Sequence, residues 1–249
     1  MNKNLPPSSF LIHPCLSALT PDRAAELDEH GFVVLPDMVP ACQLDRLGQA
    51  YDVAVASAAD DDVRVGSTTT RVTDFVNRGS EFDDLYVCPA LLEACRQRIG
   101  GSFKLSSLQA RTLRPHAPAQ VLHVDVRRNS SDWPLVGFIF MVDAFRPDNG
   151  ATRFVPGSQR WAGDPQDVTW DATAEPADQV LACGEAGSLL IFDGSAWHGH
   201  TANQSAKGRR SLQGAFIPRG GRAATDFAAR MLPETAVRLG PVARWVLAL

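Results

Sequence analysis

Ser188-Leu189-Leu190-Ile191-Phe192-Asp193-Gly194-Ser195-Ala196-Trp197-His198-Gly199-His200-Thr201-Ala202 sets the texture of the chain's second half. An apolar run, Ser188 to Phe192, ends at the turn pair Asp193-Gly194, and a second extended run covers His198 to Ala202. The Lys207-Gly208 turn and a third run, Ser211 to Ile217, repeat the pattern. Short runs of this kind, punctuated by glycine, read as strands joined by tight turns.

Working outward, Phe103 to Leu113, Val121 to Arg127, Val136 to Val142, Arg153 to Val155 and Val180 to Leu181 read the same way. Arg114-Pro115, Arg146-Pro147-Asp148-Asn149-Gly150 and Pro156-Gly157 supply the turns between them. Many short strands at such spacing predict a sandwich or barrel. Residues 103–217 form the expected β core, and residues 20–100 a largely helical support.

In that support, Thr20-Pro21-Asp22 is a helix start: a capping hydroxyl, a proline whose missing N–H costs nothing, and an acid at the positive dipole end. The helix runs to His30 and stops at Gly31. Phe32-Val33-Val34-Leu35 is a buried strand ended by Pro36, and a second helix starts near Pro40 with Leu44, Leu47, Tyr51 and Val55 on one face. Asp60-Asp61-Asp62 reads as a solvated loop, 63–72 as holding a strand, 75–81 as a loop, and Pro89 to Gly100 as a helix. Residues 1–19 are expected to form an extended arm, and 225–249 a partly helical tail broken by Pro233 and Pro241. With no repeat and no linker, one domain over 1–249 is expected.

Composition narrows the function classes. Hydrophobic residues at 45% and charged residues at 21% are globular values. A net charge of -4 argues against nucleic acid as the partner. Five scattered cysteines without a C-x-x-C pair predict reduced, buried thiols in a cytoplasmic protein. No basic-plus-apolar leader opens the chain, and no run approaches the roughly 18 apolar residues of a membrane span, so no membrane association is expected.

The chemistry concentrates at Gln120-Val121-Leu122-His123-Val124-Asp125. In a strand, residues i and i+2 share a face, so His123 and Asp125 would project together. One more imidazole completes a two-histidine, one-carboxylate facial triad, which leaves coordination positions open and is the set used for Fe(II) oxygenase chemistry. His198 and His200 are both candidates, and parity does not choose between them. Arg209 follows, with a planar fork suited to the far carboxylate of a dicarboxylate cosubstrate, while Arg210 points to the opposite face.

From Gly31-Phe32-Val33-Val34-Leu35-Pro36 to about Ile217, the chain resembles the phytanoyl-CoA dioxygenase (PhyH-like) family of Fe(II)/2-oxoglutarate-dependent oxygenases. The resemblance rests on His123-x-Asp125, on Asn149-Gly150 to Pro156-Gly157-Ser158, and on the H-G-x-x-x-N beginning at His198. The family's arginine lies eleven residues after its distal histidine; counted from His198, that is Arg209, and Asn203 falls on the family's asparagine. The resemblance therefore implies His123, Asp125 and His198 as metal ligands. It implies 2-oxoglutarate binding by Arg209, by His200 where relatives carry serine, and by Thr112. Gln159 stands where the family has histidine, in a segment that reads as a scaffold turn.

The implied fold is mainly β with flanking helices: a double-stranded β-helix, or jelly-roll, of the cupin-like kind. The implied cofactors are Fe(II), 2-oxoglutarate as cosubstrate and O2. The implied reaction hydroxylates an unactivated C–H of a small metabolite, releasing succinate and CO2. Asp125 counts against halogenation, since halogenating relatives lack the carboxylate. Epimerisation, desaturation and cyclisation remain open, and a non-catalytic jelly-roll binding protein is the alternative from another class. A zinc hydrolase has no H-E-x-x-H to support it. Arg111, Arg127 and Arg128 are compatible with an anionic or carrier-bound substrate, alternation turning Arg127 to the face of His123. Phe138, Phe140 and Trp133 read first as core.

Overall fold

Alternation of side-chain direction along the β-strands sorts the interior into two layers. The computed structural model describes residues 19–130, 133–163, 165 and 178–249. Residues 1–18 of the expected arm over 1–19, with Cys15 among them, lie outside them. The strands are β1 (Phe32–Leu35), β2 (Val63–Val65), β3 (Thr69–Val72), β4 (Phe103–Leu113) and β5 (Val136–Met141), then β6 (Thr152–Phe154), β7 (Val180–Ala182), β8 (Leu189–Asp193), β9 (His198–His200) and β10 (Arg209–Pro218). They form a seven-stranded antiparallel sheet, β1-β8-β5-β10-β4-β3-β2, facing a three-stranded sheet, β7-β6-β9. This is the expected jelly-roll.

The outer face of the large sheet carries Val33, Leu35, Ala110, Phe138, Phe140, Leu189, Ile191 and Leu212, buried beneath helices α1 (Pro21–His30), α2 (Ala41–Ala56) and α3 (Pro89–Ile99). The inner face carries Phe32, Ile139, Met141, Leu190 and Phe192, which pack on Ala151 and Phe154 of the small sheet. Phe138 and Phe140 thus do the core packing expected of them.

Helix α1 is capped as read: Thr20 Oγ1 accepts from the Arg23 amide, and Gly31 adopts φ 83 at the C-terminus. Several expectations are corrected. Residues 63–72 hold a hairpin of two strands rather than one. Where a loop was expected over 75–81, two short 3-10 turns, Phe75–Asn77 and Ser80–Phe82, bury Phe75, Val76 and Phe82. Asp60-Asp61-Asp62 is also a 3-10 turn, and Asp62 is no solvated acid: Arg78 and Arg230 pair with it at 2.7 and 2.6 Å. Two guanidiniums on one largely buried carboxylate tie the hairpin to the tail. In that tail Pro233 and Pro241 begin helices α5 (Pro233–Arg238) and α6 (Pro241–Val246), after α4 (Phe227–Arg230), instead of breaking one. Among the described cysteines, Cys88 and Cys95 are buried but Cys42 and Cys183 are exposed, against the expectation that all would be buried; all four are free thiols.

Val121 to Arg127 is not a strand. Only His123 pairs, in an isolated antiparallel bridge with His198. The next amides, those of Asp125 and Val126, both donate to the Gly194 carbonyl, at 2.8 and 3.1 Å. Consecutive amides converging on one carbonyl cannot continue a ladder, in which alternate residues face the partner. No helix among the described residues is long and apolar enough to cross a membrane.

Candidate metal centre and cosubstrate pocket

His123 and Asp125 come together by bridging rather than by strand parity. The His123–His198 bridge exchanges two backbone hydrogen bonds of 2.9 Å, which puts the imidazoles side by side with centroids 4.3 Å apart. Asp125 is held through its amide on Gly194, in a turn pinned from behind. There Asp193 is buried, accepts from the Ser195 amide and hydroxyl, and pairs with Arg98 of α3 at 2.7 Å. A helix on the outer face thereby fixes a carboxylate in the cavity.

The Asp125 carboxylate lies 3.7 Å from His123 Nε2 and 3.8 Å from His198 Nε2, and ligand atoms of the three residues lie within 4.8 Å of one another. His198 Nδ1 donates to the Ala196 carbonyl at 2.9 Å, and His123 Nδ1 to that of Val121 at 3.3 Å. Each Nε2 then carries a lone pair toward the carboxylate. Burial first, then His198, pushes the His123 pKa down to about 4, so that ring is neutral at pH 7, the state a metal ligand requires. Phe154 and Phe192 flank His198 with centroids at 5.4 and 4.9 Å, a dry wall on one side.

His200 does not join this cluster, although it shares the cavity. Its Nδ1 donates to the Thr201 carbonyl at 2.9 Å, and its buried Nε2 has no hydrogen-bond partner. Burial holds its pKa down to about 4. Arg209 is also buried at the cavity wall. Its guanidinium stacks on Phe145, 3.7 Å from ring centroid to Cζ, and donates to the Gly150 carbonyl. Its Nε is buried without a partner. Burial first, then Arg111, lowers its pKa to about 9, which leaves it charged at pH 7. Asn203 holds the turn that leads into Arg209, donating to the Arg114 and Lys207 carbonyls at 2.9 and 2.8 Å.

Arg210 faces the other way, on Asp143 at 2.7 Å and Asp52 at 2.8 Å, as alternation predicts. Thr112 is a correction. A bulge at Ser106, where Ala215 pairs with Ser107 and Phe216 with Leu105, resets the alternation of β4. Beyond it Thr112 faces α2 and bonds the Tyr51 hydroxyl at 2.8 Å, while Ser107, Gln109 and Arg111 face the cavity. Arg127 is a second correction: with no strand to orient it, it lines a separate cleft with Arg128 and Trp161. The scaffold reading of 156–159 stands, since Ser158 Oγ accepts from the Trp197 amide and Gln159 donates to the Asp28 carbonyl.

The cavity, about 270 Å³, also takes in Arg71, Gln120, Thr152 and Gln213, which sequence reasoning missed. Gln120 opens the His123 motif and was within reach of inspection. Thr152 joins only because β6 pairs it with His200, which no local pattern announces.

Comparison with known proteins gives the family and the fold. The sequence profile of the family described as phytanoyl-CoA dioxygenase (PhyH) matches residues 27–211. The multifunctional dioxygenase ausE of Emericella nidulans is 30% identical over 240 residues, covering 87% of this chain and 79% of that protein. The dioxygenase af480 of Aspergillus fumigatus is 26% identical over 242 residues, 92% of this chain and 76% of its own. Among solved structures, the non-haem alpha-ketoglutarate-dependent carbocyclase SnoK from nogalamycin biosynthesis superposes with a TM-score of 0.68 at 15% identity, over 91% of this chain and 94% of its own. HygX of Streptomyces hygroscopicus, solved with nickel, 2-oxoglutarate and hygromycin B, gives 0.67 at 14% identity, over 82% and 90%. Both share the fold.

Proposed function

Because the chain belongs to the phytanoyl-CoA dioxygenase family and is an Fe(II)/2-oxoglutarate-dependent dioxygenase, we propose that His123, Asp125 and His198 are its iron ligands and that Arg209 anchors the cosubstrate. The observation that carries the reading is the facing of three ligand atoms within 4.8 Å beside a buried arginine whose Nε lacks a partner. Two imidazoles and one carboxylate suit Fe(II) and leave positions free for an oxygen chelate and O2.

Two buried polar atoms without partners, Arg209 Nε and His200 Nε2, mark where a carboxylate fits, since such groups are rarely left unsatisfied. Arg209 is the anchor of the far carboxylate, held flat by Phe145 and by the Gly150 carbonyl. His200 closes that end. With Nδ1 on the Thr201 carbonyl, His200 donates to a carboxylate only as the imidazolium, and an anion against Nε2 raises its depressed pKa. Thr112 is left out of the proposal, because its hydroxyl bonds Tyr51 on the far face of β4.

Iron with 2-oxoglutarate and O2 supplies an oxidant for unactivated C–H bonds, with succinate and CO2 as co-products. The chain's own residues hold the ligands in place, pair with the cosubstrate's charge and keep water from one side through Phe154 and Phe192. The substrate is a small molecule, and hydroxylation is the proposed outcome. The test is incubation with Fe(II), 2-oxoglutarate and O2 against a metabolite extract. Succinate formation paired with a metabolite heavier by one oxygen is expected. No iron-dependent succinate above the protein-free control would overturn the reading.

A further inference from the structure

The strands give the cavity two unlike ends. On the inner face of the large sheet, cross-strand partners lie in rows, each two residues or about 7 Å from the next along a strand. One row holds Arg209, and the next holds Arg71, Arg111 and Ser211. After them come Gln109, Gln213 and Ile139, then Ser107, Ala215 and Gly137. The lining thus passes from guanidinium to amide to small, uncharged groups, and about 13 Å of β4 separates Arg111 from Ser107.

The candidate metal ligands stand between these ends. His200 lies toward the cationic rows, in the field of Arg111 and Arg209. His198 packs on Phe192, whose ring fills the space over Gly137. The Gly194 carbonyl that holds Asp125 belongs to a turn packed on Leu135.

A loop walls the small-residue end. Ser106 is the extra residue of the β4 bulge and is left unpaired in the ladder. Its carbonyl accepts from the Thr225 amide at 2.9 Å, and its hydroxyl accepts from the Ala224 amide at 3.0 Å. Residues 219–226 are thereby fastened along the cavity rim, with the Arg219 amide on the Ser102 carbonyl at their start and buried Phe227 just beyond their end. Ala224 is exposed and lines the cavity together with Ser106. Ser106 is buried, yet among the described residues nothing accepts its hydroxyl proton. Buried donors are seldom left in that state.

Given the iron and 2-oxoglutarate assignment above, on which this rests, we propose that Ser106 and Ala224 determine specificity at a subsite for an uncharged, oxygen-bearing small molecule. 2-Oxoglutarate takes the cationic end, so the substrate takes the other. Ser106 donates its hydroxyl proton to a carbonyl, ether or hydroxyl oxygen of the substrate. The Ala224 methyl sets how large a group passes the rim. A carboxylate or phosphate finds no cation among the described residues at this end, so its lost hydration is uncompensated.

The experiment passes a metabolite extract at pH 7 through an anion exchanger and then a cation exchanger. The unretained and eluted fractions are added to enzyme loaded with Fe(II) and 2-oxoglutarate, and succinate release above the extract-free rate is read. The unretained fraction should carry the stimulation. A224W, at an exposed position where folding tolerates bulk, should abolish it. S106A should raise the KM for that fraction about three- to ten-fold, the loss of one hydrogen bond between neutral groups. The Kd for 2-oxoglutarate, read anaerobically from the iron-to-cosubstrate absorption band, should stay at the wild-type value in both variants, which separates a substrate wall from general loss of structure. No stimulation by the unretained fraction, A224W stimulated like wild type, S106A with an unchanged KM, or either variant weakening 2-oxoglutarate would each overturn the proposal. Absence of the band in wild type would instead overturn the iron and cosubstrate assignment.

Discussion

At the scale of single residues, two adjacent arginines divide the work of one strand. Arg209 is buried with an unpartnered Nε in the cavity, and Arg210 is committed to Asp143 and Asp52 outside it. Arg209→Ala should weaken 2-oxoglutarate by about 2 to 5 kcal/mol while iron binding holds. Arg210→Ala should leave 2-oxoglutarate affinity near wild type and lower stability by about 1 to 2 kcal/mol, through loss of a paired fork. Titration calorimetry and urea melts separate the two; equal cosubstrate affinities in both variants would refute the role of Arg209. His200 gives a pH signature in the metal-free protein. Its folded pKa, about 4, lies below the unfolded value of about 6.5, so the unfolded chain binds the proton first. Stability from this group is complete above pH 6.5 and falls toward pH 4, by at most about 1.4 kcal/mol per unit. His200→Gln should flatten that slope by one proton in urea melts of apoprotein taken across the window.

At the scale of elements, the site depends on turns. Gly150, at φ 86, presents its carbonyl to Arg209 and packs so tightly that an added Cβ would overlap the Leu113 side chain. Gly150→Ala should cost about 1 to 3 kcal/mol of stability, from strain and overpacking together. It should also raise the Kd for 2-oxoglutarate without affecting iron stoichiometry; an unchanged Kd would show that the turn does not position Arg209. The elements also show what sequence can convey. The capping of α1 and the apolar runs of β1, β5 and β8 are local signals, and they were readable. Val121 to Arg127 read as a strand because its composition suits one, and what stopped it was a long-range event, two amides meeting at Gly194. Thr112 was proposed from the family resemblance alone, and its hydroxyl bonds Tyr51 on the helix-covered face of β4, a face set by the Ser106 bulge, which leaves no mark in the run.

At the scale of the molecule, two faces of one sheet serve two purposes. The outer face is closed by helices, and the inner face meets the small sheet over an aromatic core that opens into the metal cavity. The pairing of His123 with Asp125 as ligand candidates could be proposed from their spacing, whereas the preference for His198 over His200 and the link to Arg209 came from the family resemblance. The gathering of Arg71, Arg111 and Arg209 was not legible, because they meet only after three strands pair. The central claim, that iron sits on His123, Asp125 and His198 and not on His200, is tested most directly by anaerobic Fe(II) titration of the four single alanine variants. The three ligand variants should lose tight binding, and His200→Ala should keep one iron per chain. Loss of iron from His200→Ala with retention in His198→Ala would contradict it.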